Sequence, residues 1–143
     1  MASMTDQTRV NAFLDVFSKN TGTTYNTGTF TQPAKLRLMG TMGSNTSNST
    51  ELSMTGYTAG GSTCVFSTES AGQVSGPSSG NGAVSWTNSS GSNATIAGVE
   101  VWDSTGTPLR WFQGAWTGGT ITLNNGNQLT VAVNGITLNA STW

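Results

Sequence analysis

The chain has 143 residues, and a domain of this size buries enough surface to fold without a disulfide or a metal. Charged residues make up 8% of it, against about 25% in an ordinary globular protein, while Gly, Ser, Thr and Asn fill just over half. This composition excludes a helical bundle, a coiled coil and a basic nucleic-acid binder, and the absence of histidine removes the commonest enzyme chemistries.

One helix is signposted, over residues 1–20. Thr5 can cap it, Asp6 suits its first turn, and Val10, Phe13, Leu14 and Phe17 recur at helical spacing. It ends near Lys19-Asn20, with Gly22 beyond. Its apolar face docks either on its own domain or on a neighbouring chain.

Everything from residue 34 to 143 reads as β-structure. Lys35-Leu36-Arg37-Leu38 alternates, which turns the leucines inward and the two cations outward. Residues 40–50 form a polar loop, and Ser62 to Thr68 is a strand around Cys64-Val65-Phe66. Residues 75–82, rich in Gly, Ser and Pro, must turn. Val84 and Trp86 alternate with Ser85 and Thr87 on the next short strand.

In the C-terminal half, Ile96 to Trp102 and Leu109 to Trp116 flank the loop that Asp103 opens, forming a hairpin. Thr120 to Leu123 runs into a turn at Asn124-Asn125-Gly126-Asn127. Leu129 to Val133 then meets Asn134-Gly135, a pair that favours a type I′ hairpin into Ile136 to Leu138. Short strands at this spacing, divided by Gly and Asn turns, indicate a single mainly-β domain. The expected architecture is an antiparallel β-sandwich or barrel-like fold with one N-terminal amphipathic α-helix.

Few groups offer chemistry. The candidate acids after the first strand are Glu51, Glu69, Glu100 and Asp103. Glu100, between Val99 and Val101, reads as an outward, solvated side chain, and Asp103 as a turn residue bonding backbone amides. No catalytic, metal or cofactor site is expected: there is no histidine, Cys64 stands alone, and no Asp-rich loop exists. Cys64 reads as a small buried apolar residue. Five Asn-x-Ser/Thr triplets, beginning at Asn45, Asn48, Asn88, Asn93 and Asn139, are what this composition yields by chance.

Five tryptophans stand out in so charge-poor a chain. Core packing accounts for most of them, but an aromatic can also stack on a sugar or anchor an interface. Trp111 and Trp116 are candidate exposed contacts of this kind. Trp143, which has no later strand to hold it, is a candidate intersubunit anchor beside Val10, Phe13 and Phe17. No segment approaches 18 consecutive apolar residues, and the N-terminus lacks the basic and apolar regions of a secretory signal. Neither a membrane nor a nucleic-acid partner is expected.

The order of elements resembles a family of small phage virion structural proteins, the minor tail, tail fibre and head-decoration proteins. The likeness is carried by Pro33-Ala34-Lys35-Leu36-Arg37-Leu38 after an amphipathic helix, and by Thr50-Glu51-Leu52-Ser53-Met54-Thr55-Gly56-Tyr57. It continues in Ile96-Ala97-Gly98-Val99-Glu100-Val101-Trp102-Asp103, in Gly126-Asn127-Gln128-Leu129, and in the closing Leu129-Thr130-Val131. The loop at 40–50 and the residues after Tyr57 depart from the family's pattern. The resemblance implies a non-enzymatic virion component, made in the host cytoplasm, that contacts other capsid or tail proteins. It is expected to act as a homo-oligomer such as a trimer. Decoration of the capsid exterior is the first expectation. A tail component touching the host surface, with a glycan as its target, is the second.

Overall fold

The computed structural model describes residues 33–43, 47–68, 70, 73–108 and 110–139, with the backbone of 24–25 and 28–29. The expected helix over 1–20, and with it Val10, Phe13 and Phe17, lies outside the described residues, as does Trp143. Two short strands, β1 (Thr24–Tyr25) and β2 (Gly28–Thr29), pair antiparallel ahead of the main body.

The described chain is built from antiparallel β-strands. At its centre is β3 (Ala34–Thr41), flanked on one side by β9 (Gly98–Trp102) and then β10 (Arg110–Ala115). On its other side it pairs with β4 (Thr50–Glu51) near one end and β5 (Ser62–Cys64) near the other. The strand expected over 62–68 is thus shorter, with Phe66 beyond its end.

Antiparallel partners that face each other share a side of the sheet. Leu36 lies opposite Val101 and Leu38 opposite Val99, so these four form the inner side. Arg37 lies opposite Glu100 and Lys35 opposite Trp102, on the outer side. The alternation read from Lys35-Leu36-Arg37-Leu38 therefore holds, and both leucines are fully buried.

The second half is one long two-stranded ribbon. The chain runs out through β6 (Gln73–Gly76), β7 (Val84–Thr87), β8 (Ala94–Ile96) and β9. It returns through β10, β11 (Ile121–Leu123), β12 (Gln128–Val131) and β13 (Ile136–Asn139). The pairing is nested: β9 with β10, β8 with β11, β7 with β12, β6 with β13. Backbone bonds carry the ladder across the breaks, from Asn134 N to Pro77 O (2.9 Å) and from Asn88 N to Asn127 O (2.9 Å). The arms carry unequal numbers of residues at each break, and such extra residues bend a ribbon.

This nesting corrects the hairpin expected at Asn134-Gly135. β12 and β13 lie end to end on the returning arm and pair with β7 and β6, not with each other. Asn134 does take the left-handed conformation (φ 58°), but Gly135 does not, so the two-residue I′ geometry is absent. The pair makes a corner, closed by Gly135 N donating to Ala132 O at 2.8 Å.

One apolar cluster joins sheet and ribbon. Leu36, Leu38, Val101 and Cys64 meet Val74, Trp86, Ile96, Leu123 and Val131 from the ribbon, with Leu52, Met54 and Phe66 from the connections. Trp86 is buried, and its indole N–H donates to Ser62 Oγ at 2.8 Å. The corner at 88–93 is organised by Asn88, which is fully buried. Its amide donates to the carbonyls of Ser92 and Leu123, both at 2.8 Å, and its oxygen accepts from Ser90 N and Oγ. So enclosed a side chain leaves no room for a glycan on the folded protein.

Candidate functional site: a charged cleft on the outer sheet face

The outer face of the β3 sheet gathers most of the charge of the β region. Period-two alternation brings Arg37 and Met39 from β3 beside Glu100 and Trp102 from β9. β4 adds Glu51, opposite Met39, and β10 adds Arg110, opposite Trp102. With Asn48, Ser49 and Pro108 from two loops, these side chains line an open cleft of about 470 Å³.

Glu100 is 1% exposed, which overturns its reading as a solvated strand residue. The alternation of Val99, Glu100 and Val101 does turn it to the outer face, but that face is roofed by other side chains. Arg110 Nη1 donates to Oε1 at 2.9 Å, the Ser49 hydroxyl donates to the same oxygen, and Trp102 Nε1 donates to Oε2 at 2.8 Å. A buried carboxylate is tolerated only when paired and hydrogen-bonded in this way.

Glu51 is held differently. Its Oε1 accepts from the Tyr57 hydroxyl and from Gly60 N (2.7 Å), while its Oε2 stands 3.7 Å from Arg37 Nη1. That separation is an ion pair too long to be a hydrogen bond. Tyr57 in turn accepts from Leu38 N at 3.2 Å. Burial, reinforced by Glu51, pushes the Tyr57 phenol well above its ordinary range.

Arg37 is positioned by stacking: its guanidinium carbon lies 4.0 Å from the centre of the Trp102 ring, a cation–π contact. Its Nε is buried without an acceptor. A second cleft of about 520 Å³ opens beside Tyr57 and shares Glu51 with the first.

Asp103 behaves as expected for a turn residue. It is fully buried, and one oxygen accepts from Thr105 N (3.2 Å) and Thr105 Oγ1 (2.8 Å). Its other oxygen accepts from Trp111 Nε1 at 3.0 Å. Trp111 is thereby half-buried, and Trp116 is also half-buried against the core, its indole nitrogen enclosed without a partner. Neither lines the charged cleft, whose aromatic is Trp102.

Cys64 is buried as expected, and burial pushes its thiol up to about 12. Among the described residues, no group of three His, Cys, Asp or Glu is placed to hold a metal ion. The sequence reading missed Arg37, Ser49, Glu51, Trp102 and Arg110 as one site. The available signal was parity: Arg37 and Met39 share one side of β3, as Glu100 and Trp102 share one side of β9. No family model, curated protein or solved structure matches the chain.

Proposed function

We propose that the chain is a non-enzymatic bacteriophage virion structural protein, a decoration protein that stabilises the capsid exterior through contacts between subunits. The observation that carries this reading is how the described carboxylates are used. Glu51, Glu100 and Asp103 each accept several hydrogen bonds from framework groups. A general acid or base must instead trade its proton with a substrate. These acids act as struts, which suits a protein that works by holding position.

In this proposal the ribbon folds over the β3 sheet as an antiparallel sandwich or barrel-like body. Residues 1–20 form the amphipathic helix, and Val10, Phe13, Phe17 and Trp143 lie against a neighbouring chain. The assembly is a homo-oligomer such as a trimer, and its contacts gain by repetition with the symmetry of the shell. The resemblance of Ile96 to Asp103 and of Pro33 to Leu38 to phage structural proteins points the same way.

A second reading, a tail-fibre or minor tail component touching the host surface, is favoured by the open cleft around Trp102. Electron cryomicroscopy of purified particles separates the two. Density at capsomer seams is expected, whereas density confined to the tail favours the second reading. Absence from the particle, or turnover of a substrate by the purified chain, overturns both.

A further inference from the structure

We infer that the cleft between β3, β4 and β9 binds the hydroxyls of a neutral saccharide, with Arg37 and Glu51 as its polar contacts and Trp102 as part of its apolar wall. The inference does not rest on the virion reading. Arg37 is a partly exposed guanidinium that makes no hydrogen bond among the described residues although it has five donors. It is held in place by the Trp102 ring at 4.0 Å. A donor group fixed by stacking and left unspent is ready for a ligand.

The geometry opposite Arg37 selects the ligand's chemistry. Glu51 Oε2 lies 3.7 Å from Arg37 Nη1, which leaves the pair without a direct hydrogen bond. A hydroxyl both donates and accepts, so adjacent sugar hydroxyls can take a bond from the guanidinium and give one to the carboxylate. Both bonds are charge-assisted. An anion would satisfy Arg37 but would meet Glu51, and a cation would meet Arg37.

The rest of the lining agrees. Two guanidinium groups and two carboxylates balance, so the cleft offers no net charge to a charged ligand. Trp102, Pro108 and Met39 supply apolar wall beside the polar groups, matching a pyranose with C–H faces and a hydroxyl rim. A volume of about 470 Å³ falls within the range of small-molecule sites, and the adjoining cleft at Glu51 gives room for a second sugar unit.

The test is titration of the full chain with neutral hexoses, N-acetylhexosamines and their short oligomers. Tryptophan fluorescence and the Trp102 indole resonance are followed, with sialic acid and inorganic phosphate as charged comparators. Saturable binding is expected, with a millimolar dissociation constant for a single sugar and a shift of the Trp102 signal. Arg37→Lys and Glu51→Gln should each weaken it at least tenfold. Asn48→Ala, at an exposed lining position that cannot unfold the sheet, should weaken it several-fold, and Thr130→Ala on the ribbon should not change it. Silence across the neutral panel, tighter binding of phosphate or sialic acid, or binding indifferent to the cleft substitutions would each overturn the inference.

Discussion

Replacing Glu100 tests whether the outer face is a true hydrogen-bonded framework. Glu100→Ala removes the shared acceptor of Arg110, Ser49 and Trp102 from a position that is 1% exposed. Removing one partner of a buried pair costs about 3–5 kcal/mol. The Arg110 side chain is 21% exposed and can partly rehydrate, so the lower end, about 3 kcal/mol, is expected. Glu100→Gln keeps the volume and one acceptor but turns an amide N–H₂ toward a donor, and about 1.5–2 kcal/mol is expected. At about 3 °C per kcal/mol for a chain of this length, the alanine variant should melt about 10 °C lower. Urea unfolding followed by tryptophan fluorescence measures the loss directly, with an unchanged slope identifying it as native-state destabilisation. Combining Glu100→Ala with Arg110→Ala should cost at least about 1 kcal/mol less than the sum of the single losses. A loss for Glu100→Ala below about 1 kcal/mol, or strict additivity with Arg110→Ala, would refute the role assigned to this network.

The other expectations concern the corners and the core. Gly56 and Gly60 have similar left-handed conformations, φ +93° and +90°, but a Cβ at Gly56 would collide with the Thr87 carbonyl oxygen while one at Gly60 meets nothing. Gly60→Ala should cost only the conformational term of about 1–2 kcal/mol, and Gly56→Ala clearly more, as compared by urea midpoints. Asn88→Ala strips two carbonyls and Ser90 of their partners, and a loss of about 2–4 kcal/mol in the same assay is expected. The Cys64 thiol, pushed from 9.0 to about 12, and the raised Tyr57 phenol hold protons in the folded state that the unfolded chain releases. Stability is therefore fully present below about pH 9 and falls as pH rises beyond it, by about 1.4 kcal/mol per unit for each group that ionises only on unfolding. Cys64→Ala should lower the baseline yet flatten the fall between pH 9 and 12, seen in urea midpoints across a pH series.

What the sequence made legible was local. Lys35-Leu36-Arg37-Leu38 named the inner face of β3 because side-chain period alone decides it. Val84 to Thr87 was readable for the same reason, and the strand read over Thr120 to Leu123, found as Ile121–Leu123, was bounded by the turn chemistry of Asn124-Asn125-Gly126-Asn127. Pairing was not legible at Asn134-Gly135, since that dipeptide has the same preference for a left-handed residue at a corner as at a hairpin. The choice was made by β6 and β7, which occupy the hydrogen-bonding edges that a local hairpin would have needed. Glu100 shows the second limit. Its outward direction follows from Val99 and Val101, but its burial depends on Ser49, 51 positions away, and on a register that brings Arg110 across the strand pair.

The distribution of charge follows from the shortness of the strands. β4 has two residues and meets β3 through a register shift, so few ladder bonds hold it. Glu51 adds contacts from β4 to Arg37, Tyr57 and the Gly60 amide. β10 joins β9 through a bulge between Arg110 and Phe112, and at that irregularity Glu100 grips Arg110 while Asp103 grips Trp111. Among the described residues, the carboxylates of Glu51, Glu100 and Asp103 reinforce the sheet where backbone pairing is irregular. The two attachments should differ in their response to salt. The Arg37–Glu51 pair, at 3.7 Å and partly exposed, is open to screening, whereas Glu100, enclosed by three donors, is shielded from it. Added salt should therefore loosen the β4 side of the sheet and leave β10 attached, so amide exchange at Leu52, whose N–H bonds Leu38 O, should quicken well before exchange in β9.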